Sequence, residues 1–161
     1  MDIFDAILAA NLDEALQIIA ADPAAVNRAA DTRPAMDQLR GVIAGLTPLH
    51  VAACLGQIDM IHLLHQHGGQ INAVATSLTP LHYAIAFPTA EGSFYNVVKV
   101  LLDAGAEIAP DTDILLDAVR YHDSEVVGLL LKHGANLDYE DTDNDSMTAM
   151  HDLAPVFRTP Y

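Results

Sequence analysis

The sequence has no tryptophan, one cysteine and only seven lysines and arginines in 161 residues. Each shortage closes something off. A lone Cys54 cannot form an internal disulfide, which fits a reducing compartment. Seven bases against 22 acids give a formal charge of −15. A surface of that sign repels phosphate, so nucleic acid and anionic membranes are disfavoured as partners. No run approaches the ~20 apolar residues that cross a bilayer. The opening MDIFDAILAANLDEAL carries no Lys or Arg and is unlike a secretory leader. A cytoplasmic, monomeric protein is the expectation. The nine glycines are spread along the chain rather than gathered into a loop that could cradle phosphate.

What is present is a recurring unit. Leu46–Gly69, LTPLHVAACLGQIDMIHLLHQHGG, reads as helix, turn, helix. Thr47 can cap the first helix, and Pro48 suits the first helical position, where no N–H is needed. Gly56 turns the chain, and Gly68 can take the left-handed conformation that ends the second helix. Thr47 and Gly68 lie 21 residues apart, and Asp113–Gly134 and Asp2–Pro23 repeat that spacing. LTPLH recurs at Leu78–His82. In Val97–Leu102 and Val126–Leu131 the apolar residues are too dense for a surface helix. They fit a stack in which each unit covers the next.

Thr47-Pro48-Leu49-His50-x-Ala52-Ala53, Thr79-Pro80-Leu81-His82-x-Ala84, Gly105-Ala106 and Gly134-Ala135 together resemble the ankyrin repeat family over nearly the whole chain. The resemblance implies an all-α solenoid of helix–turn–helix units with short β-hairpin-like connections. It also implies a concave binding surface made by inner helices and hairpins, and a local, structural role for His50, His82 and His151. The expected division of a single domain 1–161 is an N-terminal cap repeat at 2–27, an extended connection at 28–46, and repeats at 47–77, 78–111 and 112–146. A C-terminal half-repeat follows at 147–161. In the cap, Asn11 stands where the turn glycine is expected, and Asp13 and Glu14 charge the outer helix.

Three stretches depart from the pattern. The connection before Thr47 is about a dozen residues longer than the family's hairpin. Pro34–Leu46 can form a short helix there, with Met36, Leu39 and Ile43 on one face. Residues 88–94 form an insert in the second full repeat. Pro110, Asp111 and Thr112 shorten the hairpin before Asp113.

Catalysis finds little to work with. Cys54 has no base to activate it, because His50 is a scaffold residue, and it reads as a small, partly exposed apolar group. His62 and His65 share a helix face, but His67 lies on another, and zinc needs a third ligand unless Asp59 supplies it. Asp141, Asp143 and Asp145 alternate as in a calcium loop, with Asp152 at the closing position. Ser146, however, replaces the turn glycine. A metal-dependent protein using either set is therefore the weaker alternative. No cofactor and no enzymatic activity are expected.

The family's variation lies just before the inner turn, which puts Ala9-Ala10, Cys54-Leu55, Ala86-Phe87 and Arg120-Tyr121 in one ladder. Leu55, Phe87 and Tyr121 supply apolar anchors, with Phe94 and Tyr95 near the insert as further candidates. Asp138, Glu140, Asp141, Asp143 and Asp145 crowd one hairpin with acid. The expectation is a protein-binding module for a basic partner, either an inhibitor of immunity type or an intracellular adaptor.

Overall fold

The computed structural model describes residues 2–30, 45–86, 94–108, 114–120 and 124–136, and the backbone alone at Phe94. Among them the secondary structure is helical: α1 (Ile3–Leu8), α2 (Leu12–Ala21), α3 (Pro48–Cys54), α4 (Ile58–Gln66), α5 (Pro80–Ala86), α6 (Phe94–Asp103), α7 (Ile114–Arg120) and α8 (Ser124–Lys132). A turn of 3-10 helix at Pro23–Asn27 follows α2, and Ala75 and Leu78 form one isolated antiparallel bridge. The all-α class is as expected. The chain divides into two compact units, Met1–Ala106 and Glu107–Tyr161.

In the first unit the helices pair and the pairs stack. α1 packs on α2, α3 on α4 and α5 on α6; between pairs, α1 meets α3, α3 meets α5, α2 meets α4 and α4 meets α6. The short helices α1, α3 and α5 therefore make one row, and the longer α2, α4 and α6 make a second. α3 has neighbours on both sides and a partner behind, and all seven of its residues are buried. That is why an LHVAAC helix is stable here without an amphipathic pattern. The outer row buries Met60, Ile61 and Leu64 from α4 and Val97, Val98, Leu101 and Leu102 from α6. In the second unit α7 packs on α8, burying Ile114, Leu115, Leu116, Val126, Val127 and Leu130. Leu63 in α4 and Leu131 in α8 are only half-buried. Each is adjacent in sequence to a fully buried leucine, and successive helical residues point about 100° apart.

The helix starts follow from local chemistry. Asp2 Oδ1 accepts from the N–H groups of Phe4 and Asp5 at 3.1 Å each, and Asp5 Oδ2 accepts from Asp2 N–H at 2.9 Å. Two orphan ends are satisfied reciprocally. At α3 the partner is an imidazole: His50 Nδ1 accepts from Thr47 N–H at 3.2 Å and lies 2.9 Å from the Thr47 hydroxyl. Thr79 and His82 repeat this at α5, at 3.4 and 2.8 Å.

The turn register needs one correction. α1 stops one residue sooner than α3, so Ala10 (φ 50°), not Asn11, holds the left-handed place that Gly56 (φ 70°) fills in the next unit. Asn11 instead caps α2, its Oδ1 accepting from Glu14 N–H at 3.1 Å. The insert also ends earlier than expected. Phe94 opens α6 and Tyr95, half-buried, follows within it. At the base of the long connection, Ala30 and Leu46 pair through Ala30 N–H to Leu46 C=O at 2.8 Å, and Leu46 is buried. The helix expected within Pro34–Leu46, the Pro110–Thr112 segment and the half-repeat at 147–161 lie, wholly or mostly, outside the described residues.

Candidate functional site

The inner-row turns are the place where side chains are both positioned and reachable. At α3 the first member of the expected pair does not contribute. Cys54 is buried, not partly exposed, because α5 covers its helix, and burial pushes its thiol up to about 11. At neutral pH it is a thiol and not a nucleophile. Leu55, just past the helix end, is half-exposed and is the apolar position left open there. Ala9 and Ala10 at the preceding turn are exposed, and Ala86 is half-exposed. Phe87 and Tyr121 lie outside the described residues, as do Asp138, Glu140, Asp141, Asp143 and Asp145. Arg120 closes α7, exposed, with its guanidinium 3.3 Å from the Asp117 carboxylate. Of the ladder's large side chains, the described residues therefore leave Leu55 open in the first unit and Arg120 in the second, each considered by itself.

A hydrogen-bonded frame that sequence reading missed holds the Leu55 turn. Gln57 Nε2–H donates to the carbonyl of Ile7 at 2.7 Å, tying this turn to the preceding unit. Asn27 does the same at the other end of the helices. Its Nδ2–H donates to Gly68 C=O at 2.9 Å, and its Oδ1 accepts from Gln70 N–H at 2.8 Å. Asn72 Nδ2–H donates to Gly105 C=O at 3.2 Å. The signal was available: Asn27 follows Pro23 at the spacing by which Asn72 follows Gly68.

Near the N-terminal end of α3, the hairpin Ala75–Leu78 is closed by two hydrogen bonds of 2.9 Å between those residues. Thr76 and Ser77 form its tip at φ 51° and 71°, a conformation in which glycine or asparagine is the usual occupant. Thr76 is held by its hydroxyl, 2.7 Å from Ala75 C=O and 2.8 Å from the Tyr83 hydroxyl. The Tyr83 ring stands edge-on to His50, centroids 5.3 Å apart. His50 Nε2–H donates to Leu78 C=O at 3.2 Å. Burial holds the His50 ring at about 4, although the Leu78 and Ala73 carbonyls pull it the other way. His50 is thus a neutral strut of the scaffold.

Among the described residues, no three His, Cys, Asp or Glu side chains come together. His62, His65 and His67 are all exposed, and His67 Nδ1–H donates to Leu63 C=O at 2.8 Å. No helix among the described residues is long and apolar enough to cross a membrane. The described bases are largely engaged: Arg28 pairs with Asp22, Lys99 with Asp103 and Arg120 with Asp117. The Arg28 contact holds the Asp22 carboxyl below its ordinary range.

Comparison with known proteins agrees with this geometry. Residues 5–112 match a model of ankyrin repeats (3 copies), and residues 114–142 match an ankyrin repeat. The mouse ankyrin repeat and SOCS box protein 14 is 36% identical over 103 residues, covering 60% of this chain. The Arabidopsis thaliana potassium channel AKT2/3 is 34% identical over 100 residues, again 60% of the chain. An ankyrin repeat protein of Acanthamoeba polyphaga mimivirus is 30% identical over 105 residues, 62% of the chain. The match spans only 17, 12 and 13% of those three proteins, in that order. With repeat models matched from residue 5 to 142 and paired helices stacked in the order those repeats require, the chain belongs to the ankyrin repeat family, whose repeats are protein–protein interaction modules.

Proposed function

We propose that this chain is a non-enzymatic binder of a basic protein and that binding is itself its activity, by blocking the partner as an inhibitor of immunity type does. The charge balance carries the reading. Acids outnumber bases 22 to 7, and three of the four described bases, Arg28, Lys99 and Arg120, are already paired with acids. The remaining acids set the sign of the surface and steer cationic partners toward it. Leu55, with Phe87, Arg120 and Tyr121 at the corresponding sequence positions and Phe94 and Tyr95 beyond, supplies the contact side chains of this proposal. Asp138, Glu140, Asp141, Asp143 and Asp145 supply the steering. A monomer in the cytoplasm completes it.

The second reading is an adaptor that joins two proteins without silencing either. It draws on the same repeats, since a scaffold with several units offers more than one contact surface. A metal-dependent role through His62 and His65 or through Asp141, Asp143 and Asp145 ranks third.

The deciding experiment captures the partner from lysate of the source organism on immobilised chain at low salt. The partner is then purified, and its own activity is measured with and without the chain. Inhibition predicts a basic partner, affinity that falls as salt rises, and stoichiometric loss of partner activity. An active partner held in a ternary complex would establish the adaptor instead. An acidic partner bound independently of salt would overturn the charge argument.

A further inference from the structure

The chain holds two lysines, Lys99 and Lys132. Lys99 lies within α6. Its Nζ–H donates to the Asp103 carboxylate one turn on, and Tyr95 stands one turn before it. The hydrogen bond to Asp103, helped by that carboxylate's charge, holds the amine above its ordinary range. Lys132 closes α8 and is exposed. Leu129 and Gly128 lie three and four residues before it, and Ala135 and Asn136 three and four after it. None of these carries a carboxylate, and no ion pair reaches Lys132 among the described residues. A helical side chain leans toward the preceding turn, so the Lys132 stem runs back toward Gly128. Gly128 is exposed, and nothing lies within 4 Å of the place where a side-chain carbon would stand on it. The approach to the amine is open from that side.

Chemistry selects what such an amine can take. The thiol of Cys54 is buried and raised to about 11, which removes it as a competing nucleophile. An alkyl amine becomes nucleophilic when it gives up its proton, and an ion pair opposes that step. Asp103 opposes it at Lys99, and no carboxylate opposes it at Lys132 among the described residues. The guanidinium groups of Arg28 and Arg120 stay protonated throughout and are paired with Asp22 and Asp117. An activated acyl group is the reagent that a surface amine takes, turning an ammonium into a neutral amide. Where the surrounding surface is acidic, an unpaired cation is also the place that attracts a small anionic donor.

We propose that Lys132 is a modification site of this chain, its ε-amine accepting an acyl group from a small acyl phosphate. The deprotonated nitrogen attacks the carbonyl carbon. A C–N bond forms and the C–O bond to phosphate breaks. Phosphate leaves with that electron pair, and the extra proton on nitrogen passes to water. Nothing is oxidised or reduced. The amide carries no charge, so the lysines and arginines left charged among the described residues are those already paired with acids. The formal charge of −15 becomes one unit more negative, and the last turn of α8 loses a cation that favours the helix. The proposal stands apart from the identity of any protein partner.

The test treats the folded full chain with acetyl phosphate at mildly alkaline pH and follows both lysines by peptide mass spectrometry at low conversion. Lys132 should acetylate faster than Lys99 by roughly two- to fivefold, the size of effect an exposed ion pair exerts. Asp103→Asn should raise the Lys99 rate toward that of Lys132 and leave Lys132 unchanged. Gly128→Glu puts an acid one turn before Lys132, at the spacing where helical ion pairs form, and should slow Lys132 by a similar factor. Lys132→Arg should remove the main adduct. Unfolding in guanidinium chloride should bring the two lysines level. A melting point like that of wild type shows that each variant is folded. Equal rates in the native protein, or faster reaction at Lys99, would overturn the proposal. So would a preference for Lys132 that survives both Gly128→Glu and denaturant, since the open, unpaired amine would then not be its cause.

Discussion

His50 Nε2 lies 3.2 Å from the carbonyl oxygen of Leu78, a residue 28 positions later that belongs to the following repeat. The ring is committed at both ends. Thr47 N–H can only donate, so Nδ1 must accept, and the proton sits on Nε2. Protonating Nδ1 would set a donor against a donor inside a buried site. That places folding stability under acid control. The unfolded histidine titrates near its ordinary 6.5, and the folded one near 4. Its contribution is complete above pH 6.5 and is lost as pH falls toward 4, where the unfolded chain binds the proton and the folded chain does not. Between pH 7 and pH 5 the loss should be about 2 kcal/mol. Denaturant melts at the two pH values measure it, with His50→Gln as reference. That variant should be less stable at pH 7 and should lose less on acidification.

The tip of the Ala75–Leu78 hairpin should respond in opposite senses to two glycine substitutions. Ser77 sits at φ 71°, in the left-handed region. Relieving a left-handed non-glycine residue is worth about 1–2 kcal/mol, against about 0.5–1 kcal/mol of added chain entropy. Ser77→Gly should therefore stabilise by about 0.5–1 kcal/mol. Thr76→Gly removes the hydroxyl that holds Ala75 C=O and Tyr83 and should not stabilise. Thermal melts of the two single variants decide.

Core packing predicts a contrast between neighbours. Leu130 is fully buried and Leu131 half-buried. Leu130→Ala should cost about 2–5 kcal/mol through the cavity it leaves. Leu131→Ala should cost clearly less, since water already reaches the site. Equal losses would mean that α8 is rotated from the orientation described.

The repeat architecture was readable because it is written in local chemistry. Thr47-Pro48 and Thr79-Pro80 mark helix starts, and the apolar runs at Val97 and Val126 mark helices covered on more than one side. What escaped depended on neighbours far away in sequence. The pairs Leu63-Leu64 and Leu130-Leu131 do not say in sequence which of two adjacent leucines points inward. Cys54 passed for an open groove residue because nothing near it in sequence names α5 as its cover. Asn11 was placed at the turn because α1 ends one residue early, which spacing alone does not reveal. Asn27 and Gln57 drew no attention because their partners, Gly68 and Ile7, lie 41 and 50 residues away. At the candidate site, Leu55 was legible from its place after α3.

Cys54 gives a direct chemical check on the corrected site. Its thiol is buried and raised to about 11, and the thiolate is the reactive species. Modification by a thiol-specific disulfide reagent at pH 7.5 should be slow in the folded protein. It should become fast and stoichiometric once denaturant unfolds the first unit. Fast labelling of the native protein would return Cys54 to the exposed surface.

Asn27 should behave as a clasp between units rather than as a surface polar residue. Both ends of its amide are used: Nδ2–H serves Gly68 C=O, and Oδ1 serves Gln70 N–H. Asn27→Ala removes both bonds and leaves the end of α4 to water. At about 1 kcal/mol for each net hydrogen bond, the loss should be about 1–2 kcal/mol. Asn27→Asp keeps the acceptor for Gln70 N–H, but it replaces the donor with an oxygen facing the Gly68 carbonyl. That repulsion should make it at least as destabilising as alanine above the carboxyl's titration range and less so below it. Denaturant melts of both variants at pH 7 and pH 4 separate the cases. A plain surface asparagine would show no loss in either. A clasp shows a loss in both, and only the aspartate variant recovers, relative to alanine, as the carboxyl takes up its proton and becomes a donor again.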